Sequence, residues 1–469
     1  MHFLLPMLLS ISPATVWATS TANSVIQSPN PAASREPAWT AHVDPAGQIF
    51  PSMIIAMATA KSDQSPPLDP DSEEAKKDAK VQQQTLGDPD GWLYVLIKSP
   101  KAGTRVRVAI ECPEIMDTSS FKGVLDTEGA TYGIAPKVRW KYKDLAKVRQ
   151  PLPVNIIFKV TLDDNEADED VKVCTLHTIN DCPFLHIERD ENADTATIHN
   201  LGFLFASYVN EDHPWVDKIL KQALESKTVE NFVGYQANSE DEVLKQVYAV
   251  WNVLQQRGIT YSDITKVSTR NDRVPSQHVR FLDESFEMKQ ANCVDGSVLV
   301  ASVLRKIGID TFLMITPNHC YIGFFTDAKR EKMAGLETTM MGQAKKETFD
   351  RTKNLRALLD DNKTFDEASW ESFEAALSVG TKNLEEHSQK MLDGEFRYLQ
   401  VIIKDAREQG IKAIPYFPPD KKETLPGAPA ELTPEQLAER KREDELRRKL
   451  HDDLEKLKIP DAVKVPNTK

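Results

Sequence analysis

The sequence predicts an α+β fold, in which an all-β N-terminal part precedes a part where a buried helix packs on an antiparallel sheet. Three observations predict it. Residues 90–190 contain short runs of β-forming residues separated by turn residues. Residues 293–307 form one apolar segment long enough to be a buried helix. Residues 311–340 contain three further short runs that are typical of strands.

Four runs predict the strands of the N-terminal part. Trp92–Ile97 is almost wholly apolar, as in a buried strand, whereas Arg105–Ile110 alternates between polar and apolar residues, as in a half-buried one. Val154–Leu162 and Val171–Leu176 continue the pattern. Their spacing and the lack of a helical period predict a β-sandwich over residues 88–195.

The first 18 residues are typical of a signal peptide. They contain a short apolar stretch and end in Val16-Trp17-Ala18, which fits a small-residue cleavage site. This segment predicts a periplasmic or secreted protein. No later run of apolar residues is long enough to cross a membrane as a helix, so no transmembrane segment is expected.

The remaining segments complete the predicted domain order. Residues 19–87 are rich in small and polar residues and predict a linker with one strand candidate, Ile49–Met57. Residues 200–416 contain the predicted helix-and-sheet domain, and residues 417–469 predict a proline-bearing linker and a charged helical tail. The formal net charge of −13 argues against nucleic acid as a partner.

One helix carries the first candidate site residue. Asn292 is a good N-cap, which places Cys293 at the first helical position and Asp295 at the third. The positive end of a helix dipole favours a thiolate, the form of cysteine that attacks carbonyl carbon. Cys293 is therefore a candidate nucleophile.

Two further residues complete a candidate triad. His319 begins the predicted strand 319–325, and Glu337 lies in the predicted strand 335–340. If the two strands pair about a turn centred near residue 328, His319 and Glu337 lie opposite each other, with Cβ atoms about 5 Å apart. Asp327 lies in that turn and cannot reach His319. The expected order is nucleophile, base and orienting carboxylate.

A helix-borne Cys, a strand-borne His and an acid on the next strand resemble the transglutaminase-like cysteine superfamily. Asn292-Cys-Val-Asp295, Pro317-Asn-His319 and Glu337-Thr-Thr339 are similar to the three motif regions of its bacterial members. The resemblance covers roughly residues 240–345, and Glu337 stands where the family more often has Asp. It implies a transglutaminase/papain-like domain, a helix packed on an antiparallel sheet, with Cys293, His319 and Glu337 as catalytic residues.

The same resemblance implies hydrolysis of peptide or isopeptide amides, or transfer of their acyl groups to an amine. The substrate would be a protein or peptide, with cell-wall peptide as one candidate, and no metal or organic cofactor is expected. The alternative is a non-catalytic binding or assembly protein on the same fold, since a fold does not dictate a function.

A tetrahedral intermediate needs two hydrogen-bond donors for its oxyanion. The backbone amide of Cys293 is one candidate. Gln277 is preferred over Gln290 as the second, because Gln290 lies so close to the helix start that it serves the turn.

The other cysteines have alternative interpretations. In an exported protein, Cys174 and Cys182 are candidates for a disulfide across a short loop. Cys293, His319 and Cys320 are a weaker candidate for a metal site, because neither a C-x-x-C nor an H-x-E-x-H spacing is present. Cys320 is expected to be a small core residue on the strand face opposite His319.

Overall fold

The computed structural model describes most of the chain between residues 38 and 417. The described ranges are 38–60, 84–163, 165–190, 195–262, 271–343, 347–359 and 366–417. The predicted signal peptide and the predicted helical tail lie outside them. Contacts divide the chain into two compact units, Met1–Tyr416 and Phe417–Lys469, and every helix and strand described below belongs to the first.

The N-terminal part is built from two sheets and a short strand pair. Its strands are β1 Trp39–Val43, β2 Gln48–Ile49, β3 Gln84–Gly87, β4 Leu93–Lys98, β5 Thr104–Glu111, β6 Met116–Asp117, β7 Ser119–Leu125, β8 Thr131–Ala135, β9 Arg139–Trp140, β10 Leu152–Leu162 and β11 Asp168–Leu176. One sheet has the order β1-β4-β8-β3 and the other the order β2-β11-β10-β5-β7, while β6 pairs with β9. All four strands predicted in this part are present. In β5, Val106, Val108 and Ile110 are buried, as the alternation predicted.

The predicted strand at Ile49–Met57 is wrong. Only Ile49 is in a strand, and Pro51–Ala56 forms a helix that is buried on all sides. A short, wholly apolar run has no period that separates strand from helix, and Pro51 at the first helical turn was the signal that favoured the helix. The segment predicted as linker also contains β1, whose Trp39, Ala41 and Val43 are buried.

The helices lie mostly in the second half of the chain. They are α1 Pro51–Ala56, α2 Tyr142–Leu145, α3 Pro214–Glu225, α4 Glu240–Gln256, α5 Leu282–Met288, α6 Cys293–Lys306, α7 Lys353–Leu359, α8 Glu367–Leu392 and α9 Ile403–Glu408. Short 3-10 turns occupy Gly202–Tyr208, Thr338–Met340 and Asp350–Thr352. The sheets are mostly antiparallel and the helices are interspersed among them, as in an α+β protein. Within the described ranges, no helix has both the length and the hydropathy needed to span a membrane.

Of three further short strand pairs, two join distant parts of the chain and one is a hairpin. They are β12 Asp181–Pro183 with β16 Ser276–His278, β13 Leu185–Asp190 with β14 Thr195–Asn200, and β15 Thr260–Tyr261 with β17 Gln290–Ala291. The predicted domain boundary at residues 195–200 therefore falls on a strand rather than in a linker.

The second half of the chain centres on a four-stranded antiparallel sheet. Its strands are β18 Thr311–Thr316, β19 His319–Phe325, β20 Met333–Leu336 and β21 Leu399–Ile402, in the order β20-β19-β18-β21. We call α6 the cysteine helix and α8 the long helix. Tyr321 packs in a cluster with Leu384 of the long helix, whereas the neighbouring Cys320 contacts Ser297 of the cysteine helix. Successive residues of β19 thus face the two helices.

Two glycines allow the long helix to lie directly on the edge strand β20. A Cβ atom placed on Gly335 would lie 2.1 Å from the carbonyl oxygen of Gly380, and one placed on Gly380 would lie 2.6 Å from the carbonyl carbon of Gly335. Only residues without a side chain allow two backbones to approach so closely. This contact between the long helix and β20 fixes the end of the strand, and Glu337 is the next residue.

We expect Gly335→Ala to destabilise the protein, because the new methyl group would meet the backbone of the long helix rather than a side chain that can move. Overpacking of this kind costs about 1–3 kcal/mol in the free energy of unfolding. Urea denaturation measures it, with Glu385→Ala on the exposed side of the long helix as the control. Equal stability of the Gly335 variant and the wild type would contradict this account of the crossing.

Candidate active site

Cys293 is the first residue of the cysteine helix, as predicted. The side-chain oxygen of Asn292 accepts hydrogen bonds from the backbone amides of Val294 and Asp295, both at 2.9 Å. Two of the free amides at the helix start are therefore satisfied by the cap. The Cys293 side chain is half-buried, and the Ser297 hydroxyl donates to the Cys293 carbonyl oxygen over 2.6 Å.

A buried ion pair fixes this helix start to the preceding segment. The Asp295 carboxylate accepts from the Arg280 guanidinium (2.8 Å), the Arg280 backbone amide (2.8 Å) and the Asn292 backbone amide (3.0 Å). Asp295 is fully buried and Arg280 nearly so. Burial raises the pKa of Asp295 above its ordinary value, and the hydrogen bonds from Asn292 and Arg280, with the charge of Arg280, oppose that rise. Sequence reasoning found Asp295 as a capping residue but did not find Arg280 as its partner.

His319 and Glu337 are in direct contact. The Nε2 atom of His319 lies 2.7 Å from the Oε2 atom of Glu337. The other carboxylate oxygen accepts from the backbone amide of Thr339 (3.2 Å) and from its hydroxyl (2.8 Å). Glu337 is buried, whereas the His319 side chain is 29% exposed. A carboxylate held at both oxygens orients the imidazole ring that it contacts.

The strand register differs from the prediction. β19 and β20 pair Ile322 with Leu336 and Phe325 with Met333, so the turn is centred at residue 329 rather than 328. Glu337 lies one residue beyond β20 and caps a 3-10 turn, where a continuing strand was predicted. Glu337 is therefore not directly opposite His319, and its side chain, one methylene longer than that of Asp, reaches the imidazole diagonally across the two strands. Asp327 lies in the turn, as predicted, and its carboxylate accepts from the backbone amides of Lys329 and Lys332.

The cysteine helix packs against Thr338, the residue after Glu337. A Cβ atom on Gly296 would lie 2.9 Å from the hydroxyl oxygen of Thr338. The absence of a side chain at Gly296 thus lets the first turn of this helix approach the 3-10 turn that carries Glu337. The Cys293 side chain lies close enough to His319 to act on the pKa of its imidazole. Because Nε2 contacts Glu337, Nδ1 is the ring nitrogen available to the sulfur.

The site changes the acidity of His319. Burial lowers the pKa of this imidazole, but the neighbouring Cys293 side chain and the hydrogen-bonded carboxylate of Glu337 outweigh burial and raise the pKa to about 10. The imidazole is therefore protonated at neutral pH. Since its pKa in the fold exceeds the ordinary value of 6.5, this pair stabilises the fold fully below about pH 6.5, and the contribution is lost as pH rises through about 10.

Tyr321 and His387, which the sequence did not indicate as site residues, form a chain of contacts that begins at the His319 ring. The Tyr321 ring stacks against the His319 ring with centroids 5.9 Å apart, and its hydroxyl lies 3.1 Å from Nδ1 of His387 on the long helix. Burial raises the pKa of Tyr321, so its hydroxyl stays protonated. The two-residue spacing of His319 and Tyr321 was visible as a shared strand face, but His387 is distant in sequence.

The predicted oxyanion donors have other contacts. The Gln277 side-chain amide donates to the carbonyl oxygen of His278 over 3.0 Å, within the pair of β16 and β12. The backbone of Gln290 pairs with Thr260. The role of Gln277 as an oxyanion donor stays a prediction, and so does that of the Cys293 backbone amide.

The predicted disulfide is absent. Cys174 and Cys182 are both buried free thiols, and their sulfur atoms contact the carbonyl oxygens of Lys172 and Pro183 instead. The two cysteines lie in strands of different sheets. Cys320 is also buried, and burial raises the pKa of its thiol well above the ordinary value. Within the described ranges, Cys293, His319 and Cys320 do not converge as a group of metal ligands.

No protein-family model matches this chain, and no curated protein matches it either. The functional interpretation therefore depends on the geometry of the site.

We expect NMR titration of ¹³C-labelled histidine to find His319 still protonated at pH 8. The Glu337→Gln variant should have a lower pKa for His319, because a hydrogen bond and a negative charge that favour the imidazolium are both removed. Asp327→Asn is the control and should leave this pKa unchanged. A His319 signal that titrates near 6.5 in the wild-type protein would contradict the described pairing.

Proposed function

We propose that this protein is an exported thiol enzyme of the transglutaminase-like superfamily, which hydrolyses or transfers acyl groups of peptide or isopeptide amides. The observation that carries the proposal is the placement of Cys293 at a helix start beside His319, whose ring is hydrogen-bonded to Glu337. A nucleophile at a helix start, a base beside it and a carboxylate behind the base are the parts that nucleophilic acyl transfer requires.

The proposed reaction begins with the Cys293 thiolate and the His319 imidazolium. The sulfur attacks the amide carbonyl carbon, and a C–S bond forms as the carbonyl oxygen becomes an oxyanion. The imidazolium then protonates the amide nitrogen, the C–N bond breaks, and a thioester remains. Water or an amine attacks the thioester, gives its proton to the imidazole and releases the free thiolate. Glu337 holds the ring in the productive orientation throughout.

The fold supports the family assignment. The cysteine helix contacts an antiparallel sheet whose strand β19 starts at the base, and the acid follows the neighbouring strand β20. The chain order of Cys, His and acid is that of the superfamily. In the same proposal, the four-stranded and five-stranded sheets of the N-terminal part form a β-sandwich, with the hydrophobic side chains of β5 and β10 in its core.

The proposed location rests on the sequence, and the proposed kind of substrate rests on the exposure of Cys293. The leader at residues 1–18 supports a periplasmic or secreted location, and the mature chain would then begin near Thr19. The half-buried, free thiol of Cys293 is compatible with a substrate that reaches the site from solvent, such as a peptide or an extended protein segment. Hydrolysis and transfer to an amine share the same thioester and differ only in the acceptor.

We expect turnover of a peptide-amide library, followed by mass spectrometry with and without an added primary amine, to depend on all three residues. Cys293→Ala should abolish turnover. Glu337→Gln should lower the rate by about 10²–10⁴-fold, since an unoriented imidazole adopts the wrong tautomer. Asp327→Asn should retain nearly wild-type turnover.

Thermal melts must show that the variants remain folded. Equal loss in the Glu337 and Asp327 variants would contradict the assigned role of Glu337. A folded wild-type protein that turns over no amide, even at high enzyme concentration, would favour the non-catalytic binding or assembly protein.

A further inference from the structure

A second cluster of ionisable residues lies on the hairpin of β13 and β14, away from the thiol site. His186 and His199 are directly opposite each other in the register of this hairpin, and Glu188 is two residues beyond His186. Alternation along a strand places residues two apart on one face, so all three side chains project from the same face. Elsewhere in the described ranges, no other group of three such side chains brings its potential ligand atoms within 4.8 Å of one another.

The distances within this cluster match metal ligands better than hydrogen bonds. His186 Nδ1 lies 3.7 Å from Glu188 Oε1, and His199 Nε2 lies 3.5 Å from Glu188 Oε2. Hydrogen bonds between nitrogen and oxygen are shorter, at about 2.7–3.2 Å. Ligand atoms about 2.0–2.1 Å from a tetrahedral zinc ion are separated from each other by about 3.3–3.4 Å. One potential ligand atom from each of the three residues lies within 4.8 Å of the others, so small side-chain movements would bring them to that spacing.

Burial makes this arrangement costly unless something binds to it. The His186 side chain is 8% exposed, and those of His199 and Glu188 are 21% and 32% exposed. The Nε2 atom of His199 is buried and has no hydrogen-bond partner among the described residues. The two imidazole rings are stacked, with centroids 5.6 Å apart and planes 28° apart. At 3.5 Å the Glu188 carboxylate lies beyond ordinary hydrogen-bond distance, so this buried nitrogen has lost its hydration without gaining a close partner.

The surrounding charges are mixed, with a second carboxylate close by. Asp44, in the turn after β1, is near enough that its charge acts on His199, and burial raises the pKa of Asp44 to about 6 although Tyr94 donates a hydrogen bond to it. Arg273 is the cation whose charge acts on His186 and Glu188. Asp44 is thus a second carboxylate beside the cluster and a candidate ligand for a bound cation.

We propose that His186, Glu188 and His199 form a binding site for a divalent transition-metal ion of the zinc type. Two imidazoles and one carboxylate are ligands that zinc accepts readily, whereas calcium and magnesium prefer oxygen alone. The fourth position is open to water or to Asp44. A bound ion would hold the hairpin to the turn after β1 and so join the two halves of the first compact unit. This proposal is independent of the thiol chemistry.

The test uses full-length protein without a histidine tag, in a Cys293→Ala background so that the Cys293–His319 pair cannot bind the probe ion. After treatment with a chelator, we expect isothermal titration with Zn²⁺ at pH 7.5 to find one site per chain. His199→Ala should weaken binding at least 100-fold, and Glu188→Gln, which keeps the shape of the side chain, should weaken it at least 10-fold. Co²⁺ should give the visible absorption of a tetrahedral complex.

The matched control is His278→Ala, which removes an imidazole outside the cluster and should leave the affinity unchanged. Circular dichroism checks that each variant is folded. If His199→Ala does not fold, the affinity of Glu188→Gln for Zn²⁺ decides whether the cluster binds the ion. Zn²⁺ binding that is absent at micromolar concentrations, or equal in the Glu188→Gln variant and its parent, would overturn the proposal.

Discussion

The candidate site depends on one hydrogen bond, between the buried carboxylate of Glu337 and the ring of His319. A buried carboxylate is stable only when its oxygens are paired, and here His319 and Thr339 satisfy both. The backbone around Glu337 is fixed as well, since its amide donates to the carbonyl oxygen of Ala376 on the long helix. The close contact of Gly335 with Gly380 brings that helix into place. The orientation of the imidazole is thus set by backbone packing as much as by the triad itself.

The other side of the site is held by a different interaction. The buried Asp295 carboxylate binds both Arg280 and the residue that caps the cysteine helix, so the position of the Cys293 backbone is fixed by the fold. In the proposed reaction, groups arranged in advance in this way lower the cost of reaching the transition state. A positively charged imidazolium, a helix start and a partly accessible sulfur then combine at one point, which is the environment in which thiols react fast.

The elements that carry the site were visible in the sequence because each has a local signal. The Asn292 cap and the apolar run after it defined the cysteine helix, and the β-forming runs on either side of Pro317-Asn318 defined β18 and β19. The features that the sequence did not predict are determined by tertiary contacts. The end of β20 is set by the long helix, which shifts the register and makes Glu337 a capping residue. Arg280 and His387 contact the site from other segments of the chain, which no local pattern indicates. The cluster of His186, Glu188 and His199 on the β13–β14 hairpin could be recognised only once the cross-strand register was known.

The most direct test of the thiol–imidazolium pair needs no substrate. It is the rate of alkylation of Cys293 by iodoacetamide at pH 6 and at pH 8, followed by peptide mass spectrometry in the wild type and in His319→Ala. Cys320 is a poor reference because it is buried, so the same thiol is compared across the two proteins. The account predicts slower alkylation of Cys293 in His319→Ala than in the wild type, with the larger difference at pH 6, because the imidazolium that favours the attacking thiolate is removed. Equal rates in the two proteins at pH 6 would contradict it.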